Sequence, residues 1–157
     1  MTKHSEIKVK LTGVHLCCQG CVNAADAAIM RVEGVNSRCD MENGTVTLTA
    51  KDDEAARKAL GALGAAGFYG NSDNQDLAMK PVGTLPTGKV LSVKVSGIHN
   101  CCGPCCDAIK AAINTVEGVT GDTAKPKATT FVVTGDFEAA SLVKALNAAG
   151  FSALVEQ

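Results

Sequence analysis

The chain has 157 residues, of which 46% are hydrophobic but only 3% aromatic, and its formal net charge is −1. Acidic and basic residues are interspersed, which excludes the basic surface that nucleic-acid binding requires. No apolar run approaches the roughly 20 residues that span a bilayer, and no signal peptide is evident. We therefore expect no nucleic-acid or membrane partner, and a location in the cytoplasm by default or in the periplasm if a signal peptide has been removed.

The predicted secondary structure runs through one order of elements twice, as judged from alternating apolar residues, amphipathic stripes and turn residues. The first series is a strand at 7–11, a helix from Cys21 that ends at Gly34, a strand at 35–41, a turn at 42–44, a strand at 45–50, a helix at 53–66 and a short last strand. The second series is a strand at 91–95, a helix from Cys105 that ends at Gly118, two strands within 119–134 with a turn at 125–127, a helix at 137–149 and a strand at 151–155. Each half is thus predicted to be an α+β unit with the order βαββαβ.

The two halves are also related residue by residue, which indicates a duplication. Matching residues are separated by 84 positions in the front part of each half and by 83 positions in the back part. A period of this length suits two small domains rather than a solenoid. We expect the first domain at 5–71, a linker at 72–88 and the second domain at 89–157.

Two short cysteine loops precede the first helix of each half and carry the main functional signal. Both read His-x-Cys-Cys-x-x-Cys, and their residues are His15, Cys17, Cys18 and Cys21 in the first half and His99, Cys101, Cys102 and Cys105 in the second. A helix amino terminus favours negative charge and therefore thiolates. Soft thiolates select Cu(I) or iron–sulfur clusters, whereas three thiolates and one imidazole also suit Zn(II). All eight residues are candidate metal ligands, although each histidine could instead support a ligand or only cap its loop.

The two cysteines outside these motifs are expected in the core. Cys106 continues the apolar stripe of its helix, and Cys39 shares a strand face with Val35 and Met41. The stripes themselves are predicted at positions 22, 25, 29 and 32 of the first helix and at 106, 109, 113 and 116 of its counterpart.

The cysteine loops and the residues around them resemble the heavy-metal-associated domain, which is carried by metallochaperones, a mercury-scavenging protein and copper-transporting ATPases. The matching segments are Cys18-Gln19-Gly20-Cys21, Gly34-Val35 and Ala66-Gly67-Phe68, with Cys102-Gly103-Pro104-Cys105, Gly118-Val119 and Ala149-Gly150-Phe151 in the second half. The resemblance covers both halves and implies two tandem ferredoxin-like domains. It also implies binding of a thiophilic ion, usually Cu(I), for trafficking, storage or detoxification, with transfer to a metal-transporting or acceptor protein.

Both loops depart from the family's usual Gly-Met-x-Cys-x-x-Cys pattern. They lack the methionine that anchors the loop in the core, and we expect Val14 or Leu16, and Ile98 in the second half, to replace it. The loops are also longer and gain a histidine and a cysteine each. Because a lone Cu(I) is satisfied by two or three sulfurs, we expect Cys17 and Cys101 to bridge a polynuclear cluster between the domains or in a metal-bridged dimer.

Two other functions are considered. Cys102-Gly103-Pro104-Cys105 is identical to the active-site tetrapeptide of thioredoxin and opens a helix, which is the context of a thiol–disulfide oxidoreductase. Against this, no tryptophan precedes it, the first half reads Cys-Gln-Gly-Cys, and one half is shorter than a thioredoxin fold. A structural zinc or iron–sulfur module that stabilises thin cores is the other alternative. No set of residues for hydrolysis or phosphoryl transfer occurs, so we do not expect an enzyme.

Overall fold

A computed structural model of the protein describes residues 6–80, 87–100 and 103–157. Its described part contains two four-stranded antiparallel sheets, each packed against two helices around a separate hydrophobic core. The predicted α+β fold of two tandem ferredoxin-like βαββαβ domains is confirmed. Residues 81–86 of the predicted linker, and Cys101 and Cys102, lie outside the described residues.

The bounds of the elements are as follows. The first domain contains β1 (Ile7–Thr12), α1 (Gln19–Met30), β2 (Val35–Asp40), β3 (Thr45–Ala50), α2 (Asp53–Ala65) and β4 (Asn71–Ser72), followed by a 3-10 turn at Gln75–Leu77. The second domain contains β5 (Lys89–Ser96), α3 (Gly103–Asn114), β6 (Val119–Asp122), β7 (Phe131–Glu138), α4 (Ala139–Ala148) and β8 (Leu154–Glu156). The strand orders are β2-β3-β1-β4 and β6-β7-β5-β8. None of the helices in the described ranges is long and apolar enough to cross a membrane.

The strands form where apolar and polar residues alternate. In β1, Val9 and Leu11 are buried while Lys8 and Lys10 are exposed, and the strand lies between β3 and β4. Because successive side chains of a strand point to opposite faces, this alternation determines which face of the sheet packs against the helices. The first cysteine motif begins in the loop that follows β1.

The first helix faces its core differently from the prediction. All four stripe residues predicted for the second half are buried, including Val116 just after α3. In the first half, Val22 of α1 and Val32 just after it are only partly buried. The buried residues of α1 are Cys21, Ala25, Ala28 and Ile29. The stripe of α1 therefore begins one residue earlier than predicted, at Cys21, whose sulfur also contacts Cys105 and His99 of the second domain.

Two predicted boundaries at the end of the second domain are wrong. Phe137 was predicted to begin the last helix, but it remains in β7 opposite Val90 with its side chain in the core, so α4 begins at Ala139. Burial of a large aromatic side chain in the sheet outweighs a weak local preference for helix. The last strand is also shorter than predicted, because Phe151 leaves this sheet and pairs with Phe68 of the first domain.

Candidate metal centre

The first cysteine loop is held against its own domain by alternate residues. Val14 and Leu16 are buried in the first core, as predicted for the residues that replace the anchoring methionine. The Val14 N–H also donates a 2.9 Å hydrogen bond to the Gly44 carbonyl of the β2–β3 turn. Since neighbouring residues of an extended loop point in opposite directions, His15 and Cys17 face away from this core and toward the second domain.

The second cysteine loop is anchored by a different pair of residues. Ile98 is buried in the second core, as predicted. Asn100 occupies the position that corresponds to Leu16, and its side-chain amide donates hydrogen bonds of 2.7 and 2.8 Å to the carbonyls of Lys125 and Ala128. The loop is therefore tied to the β6–β7 turn, which is the counterpart of the contact that Val14 makes.

The amino terminus of α1 presents the cysteines of the first motif. Cys18 is the N-cap residue in an extended conformation, and its carbonyl accepts hydrogen bonds from the N–H groups of Cys21 and Val22. Cys21 lies in the first turn and is 0% exposed, whereas Cys17 is exposed and Cys18 is half-buried. The motif thus extends from solvent to the interior within one loop and one helical turn.

The two domains dock through the glycine-phenylalanine pairs that follow α2 and α4. Phe68 and Phe151 form an antiparallel bridge, the Tyr69 N–H donates to the Gly150 carbonyl at 3.0 Å, and the Ser152 N–H donates to the Gly67 carbonyl at 2.8 Å. Gly67 and Gly150 are equivalent positions of the two domains, and so are Tyr69 and Ser152. Because each domain makes the same bond to the other, the domains are related by an approximate two-fold axis. The sequence pattern marks both glycines only as part of the segments that resemble the heavy-metal-associated domain, and it does not predict this contact.

The same symmetry places each motif histidine on the other domain. The His15 ring lies 4.4 Å from the Phe151 ring, and the His99 ring lies 4.3 Å from the Phe68 ring, with interplanar angles of 31° and 27°. Aromatic rings at these separations attract each other in addition to the area that they bury. Docking of the domains therefore brings the two cysteine motifs together.

Three sulfurs from the two domains form a triangle at this interface. The Cys17 Sγ–Cys21 Sγ distance is 3.5 Å, and the Cys105 Sγ lies 3.4 Å from Cys17 and 3.7 Å from Cys21. An ion with metal–sulfur bonds of about 2.3 Å in tetrahedral geometry holds its sulfurs about 3.8 Å apart. The triangle is therefore within a few tenths of an ångström of the spacing that a bound ion imposes. Cys18 lies beside it, 3.7 Å from Cys21.

The two histidines meet this triangle in different ways. The His99 Nε2 lies 3.2 Å from the Cys21 Sγ, whereas a ligand atom of His15 lies within 4.8 Å of all three sulfurs. Burial lowers the pKa of His15, and burial together with the nearby His15 lowers the pKa of His99 to about 4. Both imidazoles are therefore neutral at neutral pH, which is the form that ligates a metal or shares one proton with a thiol.

The eight candidate ligands thus have different surroundings. The described part of the chain brings together four of them, which are His15, Cys17, Cys21 and Cys105. Cys18 and His99 each contact Cys21, while Cys101 and Cys102 lie outside the described residues. Among these residues is a Cys/His group whose donor atoms are close enough together to hold a metal ion.

The remaining two cysteines lie away from this group. Cys106 is buried in the second core, as expected. Cys39 packs only partly against the first core, and its thiol donates to the Asp26 carboxylate at 3.6 Å. Burial, with the Asp26 charge and hydrogen bond, raises the pKa of Cys39 to about 12. Met41, which was expected on the same buried face, is exposed.

Comparisons with known proteins add little to this geometry. No protein-family model matches the sequence, and no curated protein matches it. Among solved structures, the chain is similar to the N-terminal soluble domains of Bacillus subtilis CopA, with 14% sequence identity, a TM-score of 0.35, and coverage of 99% of this chain and 97% of that chain. A likeness at this level carries no conclusion about the function of the protein.

Proposed function

We propose that the protein binds a thiophilic metal ion, with Cu(I) as the preferred ion, at one centre shared by its two domains. The observation that supports this most strongly is the triangle of the Cys17, Cys21 and Cys105 sulfurs, which have separations of 3.4–3.7 Å and come from both domains. The proposal includes a relation to the heavy-metal-associated domain. This relation is supported by the βαββαβ order of both domains and by the Cys-x-x-Cys at the start of α1.

The donor atoms favour Cu(I) over hard cations. Thiolate sulfur is a soft ligand that selects Cu(I), whereas Mg²⁺ and Ca²⁺ require oxygen ligands. None of the residues that make up the triangle carries a carboxylate, and the adjacent imidazoles are neutral. A three-coordinate Cu(I) would be satisfied by the three sulfurs alone.

The graded exposure of the sulfurs supports a role in trafficking, storage or detoxification. Cys21 and Cys105 are 0% exposed and would shield the ion from water and oxidants, whereas Cys17 reaches the surface. A thiol of an acceptor or metal-transporting protein could approach the ion on the side of Cys17. A single chain supplies the whole centre, so the proposal requires no metal-bridged dimer.

We propose a binding role rather than disulfide exchange. In a Cys-x-x-Cys oxidoreductase the first cysteine attacks the substrate disulfide, and the second cysteine then resolves the mixed disulfide. Cys105 is the second cysteine of its tetrapeptide, and its sulfur lies 3.4 Å from Cys17 and 3.7 Å from Cys21 of the first domain. These contacts place Cys105 in a group of thiols from both domains, which favours a binding role over the pairing with its own tetrapeptide that a resolving cysteine needs.

The test is an anaerobic titration with Cu(I) in competition with a chelator of known affinity. We expect Cys105→Ser to lower the affinity for Cu(I) by at least about tenfold, which corresponds to about 1.4 kcal/mol. Cys106→Ser is the matched control, because the neighbouring thiol lies in the core of the second domain. Cys105→Ser protein with the stoichiometry and affinity of the wild type would show that the shared centre does not exist.

A further inference from the structure

The two motif histidines occupy equivalent positions in the sequence and stack on equivalent phenylalanines, but they meet the sulfurs differently. The His99 Nε2 is 3.2 Å from the Cys21 sulfur, and His99 is 8% exposed. The His15 Nε2 is also buried, but it has no hydrogen-bond partner within the described ranges. A buried polar atom without a partner costs free energy, so a ligand that bonds to the His15 Nε2 would stabilise the protein.

That unpartnered nitrogen belongs to the residue that faces the sulfur triangle. A ligand atom of His15 and the three sulfurs of Cys17, Cys21 and Cys105 all lie within 4.8 Å of one another. His99 is not a member of this group, and its Nε2 instead contacts the sulfur of Cys21, one corner of the triangle. One imidazole beside three thiolates is the Cys₃His donor set of tetrahedral zinc sites.

Resting on the proposed metal-binding function, we infer that His15 is the specificity-determining residue of the centre. His15 closes a four-coordinate Cys₃His site, so the centre holds Zn(II) as well as Cu(I). His99 does not bind the ion and instead positions Cys21 through its hydrogen bond.

The two ions differ in how much they need the imidazole. Cu(I) is satisfied by two or three thiolates, whereas Zn(II) in closed protein sites takes four ligands. Loss of His15 therefore removes one of four Zn(II) ligands but none of the three Cu(I) sulfurs. Loss of His99 loosens a sulfur that both ions share, and so it affects both ions alike.

The experiment compares His15→Phe with His99→Phe in the full chain. Phenylalanine keeps an aromatic ring on Phe151 or Phe68 and removes only the nitrogens, so the docking of the domains is retained. Affinities for Zn(II) and for Cu(I) are measured separately by chelator competition. We expect His15→Phe to lower Zn(II) affinity by about 100-fold or more, beyond the 10–100-fold typical of residues that only support a ligand. Its effect on Cu(I) affinity should stay below about tenfold.

The matched variant gives the opposite pattern. His99→Phe should lower both affinities by a similar factor, within the range of about 10–100-fold for a supporting residue, and leave their ratio unchanged. Equal losses for both ions in His15→Phe, or a changed ratio in His99→Phe, would overturn the assignment.

A spectroscopic measurement on the wild type keeps the inference testable if a variant does not fold. X-ray absorption at the zinc edge should show outer-shell scattering from one imidazole, retained in His99→Phe and lost in His15→Phe. A wild-type zinc shell of sulfur without imidazole would refute the inference. Wild-type protein that binds Cu(I) but no Zn(II) would also refute it and leave the proposed function standing, whereas failure to bind Cu(I) would refute the proposed function itself.

Discussion

Gly67 is the position at which an added methyl group should open the metal centre. A Cβ atom there would lie 2.0 Å from the His99 nitrogen and 2.6 Å from the Ile98 carbonyl carbon, both of them backbone atoms of the second domain. Ordinary van der Waals contact begins at 3.4 Å. The domains of Gly67→Ala protein must therefore separate by about 1.4 Å at this point, because close-packed backbone cannot compress.

A separation of this size is large compared with the sulfur triangle. It would extend the Cys21–Cys105 distance from 3.7 Å to about 5 Å, and an ion with two bonds of about 2.3 Å spans at most about 4.6 Å. The ion can keep all three sulfur ligands only if other parts of the two domains distort to relieve the clash at Gly67. Overpacking costs about 1–3 kcal/mol, and 2 kcal/mol corresponds to a fall of about 30-fold in Cu(I) affinity.

Gly97→Ala is the matched control for backbone strain. Gly67 and Gly97 have φ angles of +96° and +70°, so alanine is strained by about 1–2 kcal/mol at either position. At Gly97, however, no atom lies within 4 Å of the added Cβ. Cu(I) affinity is measured by chelator competition, and the docking of the domains by small-angle X-ray scattering. Equal Cu(I) affinities in the two variants would refute the assignment of the centre to the domain interface.

Three further predictions follow from individual side chains. In the folded protein at pH 8, Cys39 should resist iodoacetamide while exposed Cys17 reacts, because only the thiolate is nucleophilic and the pKa of Cys39 is raised to about 12; peptide mass spectrometry measures both, and equal rates would contradict the burial of Cys39. Cys17→Ser should slow Cu(I) transfer to a thiol acceptor more than Cys18→Ser does, as followed by stopped-flow spectroscopy, and the reverse order would exclude Cys17 as the exchanging ligand. Asn100→Ala should lower the free energy of unfolding by about 1–3 kcal/mol, because two part-buried hydrogen bonds to backbone carbonyls are lost; urea denaturation measures this, and an unchanged midpoint would show that the loop needs no such anchor.

The fold could be predicted because its signals are local and repeated. Alternation in β1 and β3 gives strands, and the Asp40–Asn43 hydrogen bonds close the β2–β3 turn where Asn43-Gly44 predicted it. The duplication tests each element twice, so a weak pattern in one half is supported by its copy. Val14 or Leu16 was predicted as the loop anchor because the loop lacks the methionine that holds it in the core of heavy-metal-associated domains.

The relation between the domains could not be predicted, because it depends on contacts without a local signal. Gly67 and Gly150 satisfy the usual pattern of a helix C-terminus, and nothing in the sequence marks their second role as contact points for another backbone. The contacts of His15 and His99 with the sulfurs also differ although their motifs match, because they depend on residues of the other domain.

Some sequence-based expectations stay predictions. A bridging role was expected for Cys17 and Cys101, and only Cys17 lies in the described part of the chain, where it contacts sulfurs of both domains. Whether Cys102 joins the centre is likewise a prediction. The number of metal ions that the centre binds depends on Cys101 and Cys102.

The most direct test of the shared centre is ¹¹³Cd NMR of the full chain with one equivalent of cadmium, a thiophilic ion with a nuclear spin. Scalar coupling passes only through bonds, so a ¹¹³Cd resonance couples to the Cβ protons of a cysteine only when the sulfur of that cysteine binds the ion. We predict one ¹¹³Cd resonance that couples to the Cβ protons of both Cys21 and Cys105. Two resonances, each coupled to cysteines of only one domain, would contradict the account.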